Sequence, residues 1–303
     1  MPDDTSPLRR SARWINALLL APAAVVLVMG WSRRWVCDDA FIVFRVADHL
    51  AAGNGPVYNL GERVEAATCP IWALTLALGQ WLTGHVEWVA VILGLLGMVT
   101  AVALAARLQA REGLAIPVGL FAFVALPPVW DFATSGLELG LALALVAGTF
   151  ACLRTGRLVG AAVLGSLCML ARPDFGIFTL AGVGLAAFRA REQRLLLPVL
   201  AAAIVPAGAW QVFRMGYYAA MTPNTALAKE ATEANWEQGL RYLHDLADPY
   251  HLGVAGLLLG GVVLATRGGP DARQERLALG IAGLLHGVYI VRVGGDFMHG
   301  RLL

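Results

Sequence analysis

Two adjacent carboxylates, Asp38 and Asp39, stand in "WVCDDAFIVFRVADHL", directly after the first long apolar run of the chain. At the start of a helix such a pair is pulled two ways. The helix N-terminus favours the ionised form, whereas an adjacent like charge and a membrane surface oppose it, so one carboxylate can be poised to accept a proton. A plainer use competes: Asp39 suits the N-cap of the helix, and its neighbour suits a surface ion pair.

The same stretch reads as an amphipathic helix in which Ile42, Val43, Val46, Ala47 and Leu50 share one face and Arg45 and Asp48 the other, closed by Gly53-Asn54-Gly55. A polar loop, "NGPVYNLGERVEAATCPIW", follows with Asn54, Glu62, Arg63 and Glu65, and Pro70 suits the first turn of the next helix. Alternating acid and base is usually a solvated loop, and proximity to the acidic pair is what raises its interest. In "WDFATSGLELG", Ser135 and Glu138 match a capping box, beside Asp131 and Thr134. "ARPDFG" sets Arg172 and Asp174 in a tight turn, where Asp174 can cap the next helix and an arginine at membrane depth needs a partner or an anionic ligand. "YYAAMTPNTALAKE" offers Tyr217 and Tyr218 as interfacial residues and Asn224 with Lys229 as ligand candidates. "RVGGDFMHGR" gathers Arg292, Asp296, His299 and Arg301 around glycines, a composition suited to a phosphate, with too few ligands for a metal set. Cys37 and Cys69 share one loop, so a disulfide is possible, whereas Cys152 and Cys168 read as packing residues.

The elements that must position these groups are hydrophobic. Of 303 residues 58% are hydrophobic and 15% charged, and the mean hydropathy is +0.66, which describes an integral membrane protein. Lys229 is the only lysine, and the net charge of +2, spread over short loops, implies no nucleic-acid partner. Apolar stretches fall at 14–32, 88–106, 115–128, 136–153, 158–171, 174–188, 195–213, 251–266 and 277–292. Arginines concentrate in the N-terminus and near 107–113, 154–157, 189–194 and 267–276, which places those loops in the cytoplasm by the positive-inside rule. Residues 33–87, 129–135, 172–174, 214–250 and 293 onward then face outward. "PIWALTLALGQWLT", 70–83, would invert every later loop if it crossed, so it reads as a re-entrant or interfacial helix. The expectation is an all-α, polytopic bundle of about nine spans in a single domain over 1–303, inserted in the plasma membrane with a cytoplasmic N-terminus. The first outer loop, 33–87, carries the amphipathic and shallow helices. The chain stops at "GGDFMHGRLL", where a further apolar segment would begin, and so reads as shortened.

Outward carboxylates, cationic groups and a wide hydrophobic body suit a reaction between a lipid-phosphate donor and an external hydroxyl. In it a carboxylate assists the hydroxyl, and Arg or His offsets charge on the departing phosphate. The acidic pair after the first span, followed by a long outer loop with a shallow helix, resembles the polyprenyl-phosphate-sugar-dependent glycosyltransferases of the GT-C superfamily. More narrowly, "DDAFIVFRVADHLAAGNGPVYNLGERVEAATCPIW" with "TSGLE", "ARPD", "PNT" and "GGDFMHGR" resembles the terminal arabinofuranosyltransferases of mycolate-bearing actinobacteria, whose relatives are often labelled flagellar motor control proteins. Cys69 and Ile71 depart mildly from the family's Thr-Ser-Pro-Leu-Trp pattern, and the family continues past "GGDFMHGR" with further spans and an outer domain.

The resemblance implies a GT-C-like bundle with Asp38 and Asp39 as the catalytic pair. It also implies decaprenylphosphoryl arabinofuranose as donor and the arabinan ends of cell-wall arabinogalactan or lipoarabinomannan as acceptor. The residues expected around donor phosphate or substrate are Arg45, Asn54, Glu62, Arg63, Glu65, Glu138, Arg172, Asp174, Asn224, Lys229, Asp296, His299 and Arg301. The partners are then the bilayer, the lipid-linked sugar and a polysaccharide; no resident cofactor is implied, and a divalent cation stays compatible. A donor carrying another sugar, such as mannose, is the nearest alternative. A transport or motor-associated protein is the alternative of a different class.

Overall fold

The computed structural model describes residues 7–110, 117–223, 234–253, 256, 269–295 and 298, and among these every regular element is helical. Helices α1 (Pro7–Ser32), α2 (Asp38–Ala51), α3 (Pro70–Thr83) and α4 (Val86–Ala110) are followed by the short α5 (Val118–Val124) and α6 (Pro127–Asp131). Next come α7 (Leu139–Arg154), α8 (Leu158–Ala171), a 3₁₀ turn (Pro173–Phe175), α9 (Gly176–Ala190), α10 (Leu196–Tyr218), α11 (Trp236–Ala247) and α12 (Pro270–Val293). Of the described helices, α4, α10 and α12, with 25, 23 and 24 residues, are long and apolar enough to cross a bilayer. Helix α10 shows where lipid belongs, because Leu197 and Val212 are 78% and 72% exposed on a helix with a single fully buried residue, Val199. Such a surface is stable against hydrocarbon and costly against water. The chain is a membrane protein.

One expected element differs. The stretch 115–128 is not one continuous helix, because Pro127 and Pro128 supply no N–H donors and push Leu126 into extended backbone (φ −81°, ψ 119°), separating α5 from α6. The stretch 251–266 lies almost wholly outside the described residues. Helix α3 does match the short apolar segment. At 14 residues it is about 21 Å long, well short of the ~30 Å hydrocarbon core. It buries Trp72, Ala73, Leu76 and Ala77 while Leu74, Leu78, Trp81 and Leu82 stay exposed.

The bundle is centred on the crossing of α4 and α7. A Cβ at Gly97 would strike the Gly140 carbonyl, and one at Gly140 the Gly94 carbonyl, so glycine alone lets the two backbones touch. Gly94 also lies against the carbonyl of Ala133, which seats the connection between α6 and α7 on top of the crossing. At the other end of the bundle Glu275 of α12, 2% exposed, accepts hydrogen bonds from Arg154 of α7 (2.8 Å) and Arg189 of α9 (2.9 Å). A carboxylate this deeply buried is tolerable only with such cationic donors around it.

Candidate active site

Helix α2 begins two residues earlier than an Asp39 cap would require. Its N-cap is Cys37, which offers no side-chain cap, and both Asp38 and Asp39 fall in the first turn. The capping role expected of Asp39 is therefore not used. Asp38 is exposed and its Oδ1 accepts the Asp39 N–H at 2.9 Å, while Asp39 is half-buried. Both carboxylates therefore face the partial positive charge of the helix N-terminus. The buried face of α2 is Ala40, Val43, Phe44, Val46 and Ala47; Ile42 is exposed instead, because the phase of the helix turns Phe44 inward. Gly53 and Gly55 adopt left-handed φ of 79° and 85° after the helix, as the Gly-Asn-Gly sequence implies, and a Cβ at Gly55 would meet the Tyr217 hydroxyl.

The link from the acidic pair into the bundle is the segment 135–138. Cys37 N–H donates to the Ser135 carbonyl and the Trp72 indole N–H to the Gly136 carbonyl, both at 3.0 Å. Gly136 has φ 84° and packs where Ala40 and Phe44 leave no room for a side chain. The expected capping box does not form. Ser135 Oγ turns back to donate to Phe132, α7 starts only at Leu139, and the Glu138 carboxylate is drawn across to Arg172.

Arg172 is the hub of a buried ionic cluster. Pro173 forces it into extended backbone (φ −143°, ψ 114°) at the end of α8. Its Nε and Nη2 donate to the two carboxylate oxygens of Asp174 at 3.1 and 2.7 Å, and Nη1 lies 3.9 Å from Glu138. His286 of α12 places Nε2 3.2 Å from Asp174 Oδ2, with its ring edge-to-face on Phe175. Asp174 is thus committed to Arg172 and His286, not to capping α9. Burial alone would raise the Asp174 carboxyl, but the His286 hydrogen bond and the adjacent guanidinium outweigh it and hold the group below the usual carboxylate range. Burial works against the Arg172 charge as well, and Asp174 and Glu138 more than restore it. Cys69, at the N-cap of α3, is a free thiol whose pKa is pushed well up, first by burial and then by the Glu138 charge. Cys37 is likewise in no disulfide, so the two loop cysteines are not bonded to one another. Each is buried in the core shared by α2 and α3, and Cys69 contacts Glu138.

A second buried pair ties the first loop to α10. Glu65, 1% exposed, receives Arg214 Nε and Nη2 at 2.6 and 3.1 Å, and Arg214 Nη1 donates to Gln211. Tyr218 donates to the Pro56 carbonyl at 2.6 Å, and Arg63 stacks over Tyr217. Glu65→Leu, which strands the Arg214 charge, is expected to lower stability by about 3–5 kcal/mol, whereas Glu65→Leu with Arg214→Leu recovers most of the loss. Detergent-phase unfolding midpoints check this; equal midpoints for the single and double variants would show that the pair carries no such charge penalty.

The remaining predicted residues divide. Arg45 donates to the Tyr58 carbonyl at 2.8 Å and stacks on that ring, and Asn59 bridges to Glu62, so both charges shape the loop. Asn54 donates its backbone N–H to His49 in the turn after α2. Asn224, Lys229, Asp296, His299 and Arg301 lie outside the described residues. Met298, however, is described, and it packs against the core that contains Cys37. Sequence reasoning missed His286 and Arg214. The rule applied to Arg172, that a polar group within an apolar helix needs a partner, would have found them both.

An apolar cavity of about 570 Å³ opens between α2, α3, α8 and α10, walled by Val46, Leu50, Ile71, Leu170, Trp210 and Phe213, with Tyr217 and Tyr218 at its edge. No protein-family model and no solved structure matches the chain. Among curated proteins it is 38% identical, across 95% of its length, to the terminal β-(1→2)-arabinofuranosyltransferase of Mycobacterium tuberculosis, and 35% identical, across 90%, to that of Corynebacterium glutamicum. Over nearly its whole length the chain is thus similar to terminal arabinofuranosyltransferases of actinobacteria. It spans about half the length of these relatives, 53% and 46% respectively. The similarity agrees with the resemblance carried by the motifs.

Proposed function

We propose that the chain is a membrane glycosyltransferase that moves arabinofuranose from decaprenylphosphoryl arabinofuranose to the arabinan end of a cell-wall polysaccharide on the outer face. One observation carries the reading: α2 joins an acidic pair to an apolar cavity. Its first turn presents Asp38 and Asp39, and its Val46 and Leu50, about 10–18 Å further along, line the apolar cavity. A lipid-linked sugar needs this arrangement, with a hydrocarbon slot at one end of a helix and a base at the other. One aspartate takes the proton from the acceptor hydroxyl as its oxygen attacks the anomeric carbon. The bond from that carbon to the phosphate oxygen breaks, and the polyprenyl phosphate departs with the electron pair. The Arg172 cluster keeps Glu138 and the 135–138 segment in place beneath the start of α2, which fixes where the carboxylates stand. The proposal includes a GT-C-like bundle of about nine spans in the plasma membrane, with a cytoplasmic N-terminus and α2 outside.

Membranes containing the chain test this when supplied with an arabinan acceptor and, in parallel, decaprenylphosphoryl arabinofuranose and polyprenyl-phosphate mannose. Incorporation of labelled arabinose alone is the expected result. Incorporation of mannose in its place would replace the donor assignment.

A further inference from the structure

We propose that the cleft framed by Arg33, Trp35, Asp131, Phe132, Tyr250 and Met298 is a carbohydrate-binding subsite that seats the acceptor glycan beside Asp38 and Asp39. The choice of an arabinan as its ligand rests on the transferase reading; the cleft's suitability for a glycan does not. It is an open cleft of about 480 Å³, separate from the apolar cavity. Trp35 is 39% exposed, yet its indole N–H is already spent on the Asp131 carbonyl at 2.9 Å, and Phe132 packs against the ring at 6.0 Å. The ring is therefore a fixed plate with its polar group satisfied. A nearby tryptophan pair behaves differently: Trp31 and Trp88 lie 6.3 Å apart with Arg34 stacked on the former, an arrangement suited to a membrane-interface belt.

The charges of the cleft also point to a neutral polyol. Arg33 Nε lies 3.3 Å from Asp131 Oδ1, and its guanidinium stacks on Trp130 at 4.8 Å, so the arginine is matched and held. A matched pair has little attraction for a free phosphate, but its remaining donors and acceptors suit hydroxyl groups. A sugar ring has an apolar C–H face and a rim of hydroxyls, and the cleft offers an aromatic plate next to a guanidinium and a carboxylate. Three residues separate Trp35 from Asp38, at most about 11 Å of chain. A glycan lying on Trp35 can thus present its terminal hydroxyl to the acidic pair.

The test is equilibrium binding of a synthetic arabinofuranose oligosaccharide to the detergent-solubilised chain, read by saturation-transfer NMR without donor present. Trp35→Ala should weaken binding about tenfold, and Trp35→Phe, which keeps a ring, should stay within about threefold of the parent. Unfolding midpoints of both variants should match the parent. Undiminished binding by Trp35→Ala would overturn the subsite, as would equal losses in the Ala and Phe variants or no binding by the parent. None of these results touches the transferase reading, which is decided by turnover from the arabinose donor.

Discussion

On the proposed function, conversion of Asp38 and Asp39 together to asparagine should lower arabinofuranose transfer by about 10³-fold and leave the fold in place. The size follows from the usual contribution of a positioned general base, about 10²–10⁴-fold. The fold survives because asparagine keeps both shape and a side-chain oxygen: the contact from Asp39 N–H to the side chain at 38 can persist, and nothing buried is left unpaired. What is lost is the favourable interaction of two charges with the α2 N-terminus, roughly 0.3–1 kcal/mol each. Single variants then separate the roles. The residue that takes the proton should give nearly the whole loss alone, while its neighbour should cost far less. Initial rates with labelled donor measure both effects, and a double variant that transfers at the parental rate would remove the acidic pair from the mechanism.

Arg172→Leu should be the most damaging single change to stability, at about 3–5 kcal/mol or more, enough to prevent recovery of folded protein. The guanidinium is the only cation among the described residues shown pairing with Glu138, and it shares Asp174 with His286; all four side chains are largely buried. Removing it strands two carboxylates. Adding Glu138→Gln and Asp174→Asn should restore much of the loss, because neutral amides cost far less to bury than unpaired charges. Acid gives an independent measure. Asp174 binds its proton less readily when folded than when unfolded, so its stabilisation is complete above the ordinary carboxylate pKa of about 3.9 and drains as pH falls below it. The parent's unfolding midpoint should therefore hold down to about pH 4 and fall beneath it. A triple variant with Asn at 174 should lack Asp174's share of that decline. A parent midpoint that is flat through the acid range would contradict the assignment.

Much of this was legible because membrane helices are written in long apolar runs. Helix α8 occupies the stretch expected of it, α4 and α12 contain theirs, and α10 begins one residue inside its own. Pro70 starts α3 and Gly84 ends it in a left-handed turn, as local residue chemistry dictates. Local chemistry misled where tertiary partners outbid it. Ser135 and Glu138 have the spacing of a capping box and Asp174 the position of a cap, but Arg172 offers these carboxylates a buried cation, a stronger interaction than an exposed N–H. The pairs Glu65 with Arg214 and Glu275 with Arg154 join residues 149 and 121 positions apart, and no periodicity in one sequence reveals such a match.

Glu275 and His286 are eleven residues apart on α12, about three full turns, so they lie on the same side of the helix some 16 Å from each other. One is gripped by Arg154 and Arg189, the other by Asp174. A rod fastened at two points of equal phase can neither roll nor creep along its axis without breaking both fastenings. The height at which α12 delivers Gly294 and Gly295 against Asn235 and Tyr242 is therefore set like a stop on a sliding rule.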